Sequence, residues 1–268
     1  MRIKPLLLLL IAAALSACAA PASVAPPVPE PVRKDKVSAI LAQAPPLSAP
    51  QGERIAGISA AFLGTPYQAH TLTGSPDIPE TLVVNFHGVD CFTLLDYVQA
   101  LSYSRDRDSF EANLIRTRYA GGKVGYLNRR HFFSDWFAEN PRNADDVTHS
   151  LSPETVTIVK PLNRETRGKS QVPGLGVISR RITYLPGRAI TPQVLAQIHT
   201  GDYVGVYATE PALDVTHAGI AVRHDGRLWF RNASSLGTTR KVVDMPFREY
   251  MQSKPGIIVL RALPVSAP

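Results

Sequence analysis

"GVDCFTLLDYVQAL", residues 88–101, carries Cys91, the only cysteine of the chain apart from Cys18 near its start. Leu94, Leu95, Val98 and Leu101 recur at helical spacing, which predicts a helix from about residue 90. Asp90 suits the N-cap, and that places Cys91 in the first turn. A helix N-terminus carries about half a positive charge and free N–H groups. It favours thiolate over thiol, so the position predicts a pKa below the ordinary value of about 8.5. The same N–H groups can hold an oxyanion that develops beside the sulfur. The position suits a nucleophile, and equally a small apolar residue packed under the first turn.

A base is the next requirement. "DVTHAGIAVRHDGRLWFRNASS" (214–235) reads as a β-hairpin turning at Asp225–Gly226. A two- or four-residue loop sets His217 against Ser234 and Gly219 against Asn232. His217, Gly219 and Asn232 then share a face, with His217 and Asn232 as diagonal neighbours. The Asn232 amide oxygen could accept the imidazole N–H and fix the ring's tautomer. A three-residue loop would reverse the parity and separate them.

Outward from these two stretches the chain divides into three. Arg2 and Lys4 precede an apolar run, Leu6–Leu15, closed by "LSAC" (15–18). This resembles a bacterial lipoprotein signal, residues 1–17, with Cys18 as the lipidated N-terminus. Ala19 follows where an Asp would suggest inner-membrane retention, so the expected place is the periplasmic face of the outer membrane. Residues 18–50 read as a linker, since 8 of the 23 prolines fall there among Ala and Ser. Residues 51–268 suffice for one domain with a core. The net charge of +7 falls to +5 once Arg2 and Lys4 leave. That balance suits an anionic lipid or cell wall, and no nucleic-acid-binding motif is present.

Within 51–268, "SAPQGERIAGISAAFLG" (48–64) predicts a helix with Ser48 and Gln51 as capping pair and Gly64 as stop. "TLVVNF" (81–86) predicts a strand. "DSFEANLIRTRYAGG" (108–122) predicts a helix capped by Asp108 and Glu111. "YLNRRHFFSDWF" (126–137) reads as a helix with its Phe residues in the core, or as a wall of polar and aromatic groups facing a pocket. From residue 156 the pattern turns to strands, broken by a short helix with Thr191 as cap and Pro192 at its first position, and by another near "MPFREYMQS". Helices first and an antiparallel sheet later is an α+β order. The His residues are scattered with no ligand spacing, so no metal and no cofactor is expected.

"FLGTPY", "VDCFTLLDYVQAL", "RRHFFSDWF", "LDVTHAGIAV" and "RNASS", in this order over residues 53–262, resemble the N-acetylmuramoyl-L-alanine amidase-like branch of the NlpC-type papain-like cell-wall hydrolases. The resemblance implies a papain-like α+β domain with the nucleophile at a helix start packed on an antiparallel sheet. It implies a cysteine amidohydrolase acting on peptidoglycan or muropeptides, with Cys91 as nucleophile, His217 as base, Asn232 as orienter and Tyr67 aimed at the oxyanion. The branch commonly has His at the position of Asn232. Asp90, Arg129, Ser134, Asp135 and Trp136 are expected to bind substrate, and the last four favour cleavage of the muramoyl–L-alanine bond. Alternatives are a γ-D-glutamyl-diamino acid endopeptidase, an acyltransferase and a non-catalytic wall-binding lipoprotein.

Overall fold

The computed structural model describes residues 30–165 and 168–264. Seven helices and eight strands lie among these residues: α1 (Glu30–Gln43), α2 (Gln51–Ala60), α3 (Cys91–Ser102), α4 (Arg107–Arg118), α5 (Asp135–Ala138), β1 (Ala144–Asp146), β2 (Val156–Leu162), β3 (Ile178–Pro186), α6 (Pro192–Gln197), β4 (Tyr203–Tyr207), β5 (Val215–His224), β6 (Arg227–Ala233), β7 (Val242–Pro246), α7 (Phe247–Gln252) and β8 (Gly256–Ala262). The strands form one antiparallel sheet in the order β2-β3-β8-β4-β5-β6-β7, with β1 also paired to β8. The fold is thus α+β, as the element order predicts.

Both faces of the sheet are covered. Tyr203, Tyr207, Ile258 and Leu260 enter the core under α1–α4. Their neighbours Val204, Val206, Ile257 and Val259 enter a second core under α6 and α7. Alternation on a strand buried on both sides leaves no polar position, which is why β4 is apolar or glycine throughout. The β5–β6 hairpin has the predicted two-residue turn. Asp225 (φ 51°) and Gly226 (φ 70°) both take the left-handed backbone of a type I′ turn, and His224 pairs with Arg227.

Five local expectations are corrected. The linker reading extends to residue 50, yet α1 occupies 30–43 and buries Val37 and Ile40. Its prolines cluster outside residues 32–44, leaving a proline-free window with an apolar stripe; Pro31 falls in the first turn, where no N–H is needed. The N-cap of α2 is Pro50 with no side-chain cap, and Gln51 instead donates to Ser102 Oγ at 2.7 Å. Residues 81–86 form no strand and stay outside the sheet. Their polar groups are met by helices: Arg118 donates to Val83 O (2.8 Å) and Asn85 N–H to Tyr97 Oη (2.9 Å). The cap of α4 is Asp106 with Ser109, while Glu111 pairs with Arg107 one turn before it. Residues 126–137 hold a single 3₁₀ turn (Tyr126–Asn128) and the four-residue α5, not a continuous helix. The signal sequence and Cys18 lie outside the described residues.

Candidate active site

The cap of α3 forms as the sequence suggests. Asp90 Oδ1 accepts the N–H groups of Phe92 (3.0 Å) and Thr93 (2.7 Å), and Thr93 Oγ1 accepts the Asp90 N–H (2.9 Å). Leu94, Leu95, Val98 and Leu101 are fully buried, which presses the helix onto β5. Cys91 is its first residue and is partly exposed.

The sulfur lies beside the N–H of Ala218 on β5. The last β5–β6 pair is Ile220 with Arg231. Continued by two residues, the register would set Ala218 against Ala233, with the Ala218 N–H donating across the ladder. That N–H instead meets the Cys91 sulfur, together with the N–H groups of Cys91 and Phe92. The β5–β6 pairing thus ends beside the thiol.

The pKa expectation is reversed here. Burial first, and then the Asp90 charge, push the Cys91 thiol up to about 12, against the opposing pull of the three N–H groups. Helix dipoles are modest and local, whereas desolvation penalises the anion throughout. Burial and the Asp90 charge both favour the thiol over the thiolate at Cys91.

His217 and Asn232 meet as the hairpin register requires, with His217 Nε2 3.0 Å from Asn232 Oδ1. The amide's orientation follows from its other end, since Asn232 Nδ2 donates to Phe230 O at 3.1 Å. The oxygen therefore faces the ring, Nε2 carries the proton, and Nδ1 is left as a base. Gly219 lies between them, and a Cβ there would come within 2.5 Å of Arg231 O and 2.6 Å of the Phe230 ring. Burial lowers the His217 pKa; the Asn232 bond raises it, and the charge of Lys254 lowers it further. Among the described residues no hydrogen bond joins the imidazole to the sulfur. The two sit on consecutive positions of β5, the ring at 217 and the sulfur at the N–H of 218.

Tyr67 reaches the same place through backbone pairing. Its N–H donates to Arg240 O (2.9 Å), Gln68 N–H to Val89 O (2.9 Å), and Val89 N–H to Pro66 O (3.1 Å). This chain of bonds links the strand of Asn232 to the loop that enters α3, because Ser234 N–H donates to Lys241 O. Burial raises the Tyr67 pKa, the neighbouring Asp90 carboxylate raises it further and the Arg240 charge opposes them, so its hydroxyl keeps a proton to donate.

The expected substrate wall at 129–136 is corrected. Arg129 pairs with Glu80, which also accepts the Tyr119 hydroxyl at 2.8 Å. Ser134 is fully buried, and its N–H donates to Asp214 Oδ2 (2.6 Å). Asp135 is buried against Arg180 at 2.9 Å; burial pushes its carboxyl up to about 6. Trp136 is fully buried, edge-on to Tyr203 (4.9 Å) and Phe92 (6.2 Å). These side chains anchor a loop between β3 and β5 and close the interior beneath Phe92. Arg130 is likewise buried and donates to the carbonyls of Arg116, Thr117 and Pro141. Position in a polar–aromatic segment did not distinguish buried ion pairs from an open wall.

Sequence reasoning missed Arg240, Tyr250 and Lys254. Arg240 lies 5.3 Å from the Tyr67 ring centroid, and Lys254 lies 4.5 Å from that of Tyr250. Tyr250 stacks on Phe230, whose edge meets His217 at 5.9 Å. No local pattern marks these residues, because each arrives from a different loop or helix.

A family model described as AmiA-like, N-acetylmuramoyl-L-alanine amidase-like, matches residues 57–257. The chain belongs to the AmiA-like family. The match spans every residue assembled above, from Tyr67 to Lys254. An N-acetylmuramoyl-L-alanine amidase from Bacteroides uniformis is 30% identical, with 79% of this chain and 98% of that one aligned and a TM-score of 0.65. A Bacteroides fragilis protein named as a candidate xylanase is also 30% identical, over 76% of this chain and 98% of that one, with a TM-score of 0.62. A Legionella pneumophila protein is 23% identical over 88% and 96% of the two chains, with a TM-score of 0.73, and shares the fold. No curated protein matches the chain.

Proposed function

We propose that this AmiA-like protein is a cysteine-dependent amidase of peptidoglycan or its fragments, cleaving the N-acetylmuramoyl–L-alanine bond. The observation that carries the reading is the Asn232-held imidazole of His217, one residue along β5 from the N–H that holds the Cys91 sulfur. The same arrangement supports a place among NlpC-type papain-like enzymes. Family membership and the name of the B. uniformis relative support the substrate class and the bond.

The neutral thiol dictates the order of events. Substrate enters, and His217 Nδ1 takes the thiol proton as the sulfur attacks the lactyl carbonyl. Attack and proton transfer are coupled, since a free thiolate is disfavoured in this setting. The oxyanion of the tetrahedral intermediate is met by the Cys91 N–H and by the Tyr67 hydroxyl. Imidazolium, oriented through Nε2–H to Asn232, gives its proton to the L-alanine nitrogen, and the C–N bond breaks. Water then attacks the thioester, passing a proton to His217. The lactyl carboxylic acid leaves, and the sulfur takes the proton back as a thiol.

The endopeptidase alternative retains one specific observation. The cap bonds of Asp90 all use Oδ1, which leaves Oδ2 for a substrate amine. Digestion of a defined muropeptide separates the two. A new N-terminal L-alanine, absent with Cys91→Ala, supports the amidase; a free diamino-acid amine with the sugar still on L-Ala–D-Glu rejects it. The lipid anchor at Cys18 belongs to the same proposal and places the enzyme at the periplasmic face of the outer membrane. Soluble wild-type protein that incorporates no labelled fatty acid would reject that part.

A further inference from the structure

Cations of this fold meet carboxylates, backbone carbonyls or aromatic rings. Arg118, Arg129, Arg180, Arg231 and Arg261 each hold a carboxylate: Asp96, Glu80, Asp135, Asp244 and Asp202. Arg240 and Lys254 do not. Among the described residues neither makes an ion pair, and each lies against an aromatic ring instead. Both rings lie near the candidate catalytic pair. Tyr67 borders the sulfur, while Tyr250 reaches His217 through Phe230. Lys254 is near enough for its charge to act on the imidazole.

Arg240 is also held at a cost. Its φ of 33° is unusual for a residue with a side chain, and its carbonyl is tied to the Tyr67 N–H at 2.9 Å. A guanidinium lying on a ring face keeps its N–H edges free for a planar anion. Asp90, whose charge acts on both Cys91 and Tyr67, spends Oδ1 on the cap of α3. Among the described residues Arg240 and Lys254 are thus cations near the candidate pair with no carboxylate bound to them.

We propose that Arg240 and Lys254 read carboxylates on the substrate, so that the enzyme prefers an anionic stem peptide over its amidated counterpart. The proposal rests on Cys91 and His217 marking the cleft. For a muropeptide the discriminating group is the α-carboxylate of the second residue, D-glutamate, against the α-amide of D-isoglutamine. A charge-assisted bond of this kind is worth on the order of tenfold in affinity.

The test uses binding rather than turnover. The Cys91→Ala protein is titrated calorimetrically with N-acetylmuramoyl-L-alanyl-D-glutamate and, separately, with the D-isoglutamine form. The acid is expected to bind on the order of tenfold more tightly. Arg240→Gln and Lys254→Gln should each erode that preference while leaving the amide's affinity in place, and Arg240→Lys should retain part of it. Equal affinity for the two ligands, equal weakening of both by the variants, or no binding of either overturns the proposal. Turnover by the unsubstituted protein is scored separately. Carboxylate-dependent binding by a protein that cleaves no wall would reject the hydrolase reading and leave these two residues assigned.

Discussion

Modification of Cys91 is the sharpest test of how the sulfur is kept. Take residues 30–268, in which Cys91 is the single cysteine, and react them with a small aromatic disulfide between pH 6 and 10. A pKa raised from 9.0 to about 12 leaves roughly 10³-fold less thiolate at neutral pH than an unperturbed thiol has. The higher basicity makes each thiolate more nucleophilic, by roughly 1.2–1.5 log units for a Brønsted slope of about 0.4–0.5. The net expectation is a rate about 30- to 60-fold below that of an unperturbed thiol at pH 7.5. The logarithm of the rate should climb with unit slope to pH 10 without levelling. Asp90→Asn keeps a competent cap and removes the second cause of the raised pKa, so it should speed the reaction by up to about tenfold. A rate that is flat between pH 5 and 8 would mean a standing thiolate–imidazolium pair and would refute the neutral-thiol mechanism. The same shift has a stability consequence. The folded state holds the thiol proton more tightly than the unfolded chain, so this contribution is full below pH 9 and is lost as pH rises toward 12.

Asn232→Ala should lower kcat by about tenfold or more with the thermal midpoint little changed, whereas Asn232→His, the residue common in the branch, should retain activity; an unaffected alanine variant would place the orienting group elsewhere. The acid limb of kcat/KM should fall below pH 6.5, because burial lowers the His217 pKa and the base must be neutral to act. Lys254→Gln removes a cause of that lowering and should move the limb to higher pH, as read from initial rates across pH 4–8. Asp96→Ala leaves Arg118 buried and unpaired and should cost about 3–5 kcal/mol in denaturant unfolding, the scale for breaking a buried ion pair.

Residues close in sequence declared themselves. The cap at Asp90, the helix after it, the two-residue turn at Asp225–Gly226 and the diagonal of His217 with Asn232 all depend on backbone geometry within a few residues. Periodicity and turn chemistry encode such geometry directly. What failed needed distant partners. Whether Ser134, Asp135 and Trp136 face solvent or interior depends on Arg180, Asp214 and Tyr203, which lie 45 to 80 residues away in the chain and come together only in the sheet. Segment 81–86 has strand composition, but its carbonyl at Val83 is claimed by Arg118 before any strand can pair with it. The pKa of the proposed nucleophile turned on the same distinction. A helix start argues for a thiolate by a local dipole, while burial between α3 and β5 argues for the thiol by desolvation. Desolvation is a property of the packed whole, so tertiary structure decided which way the Cys91 pKa moves, and with it the order of the proposed reaction. The sequence by itself determined which atoms could react.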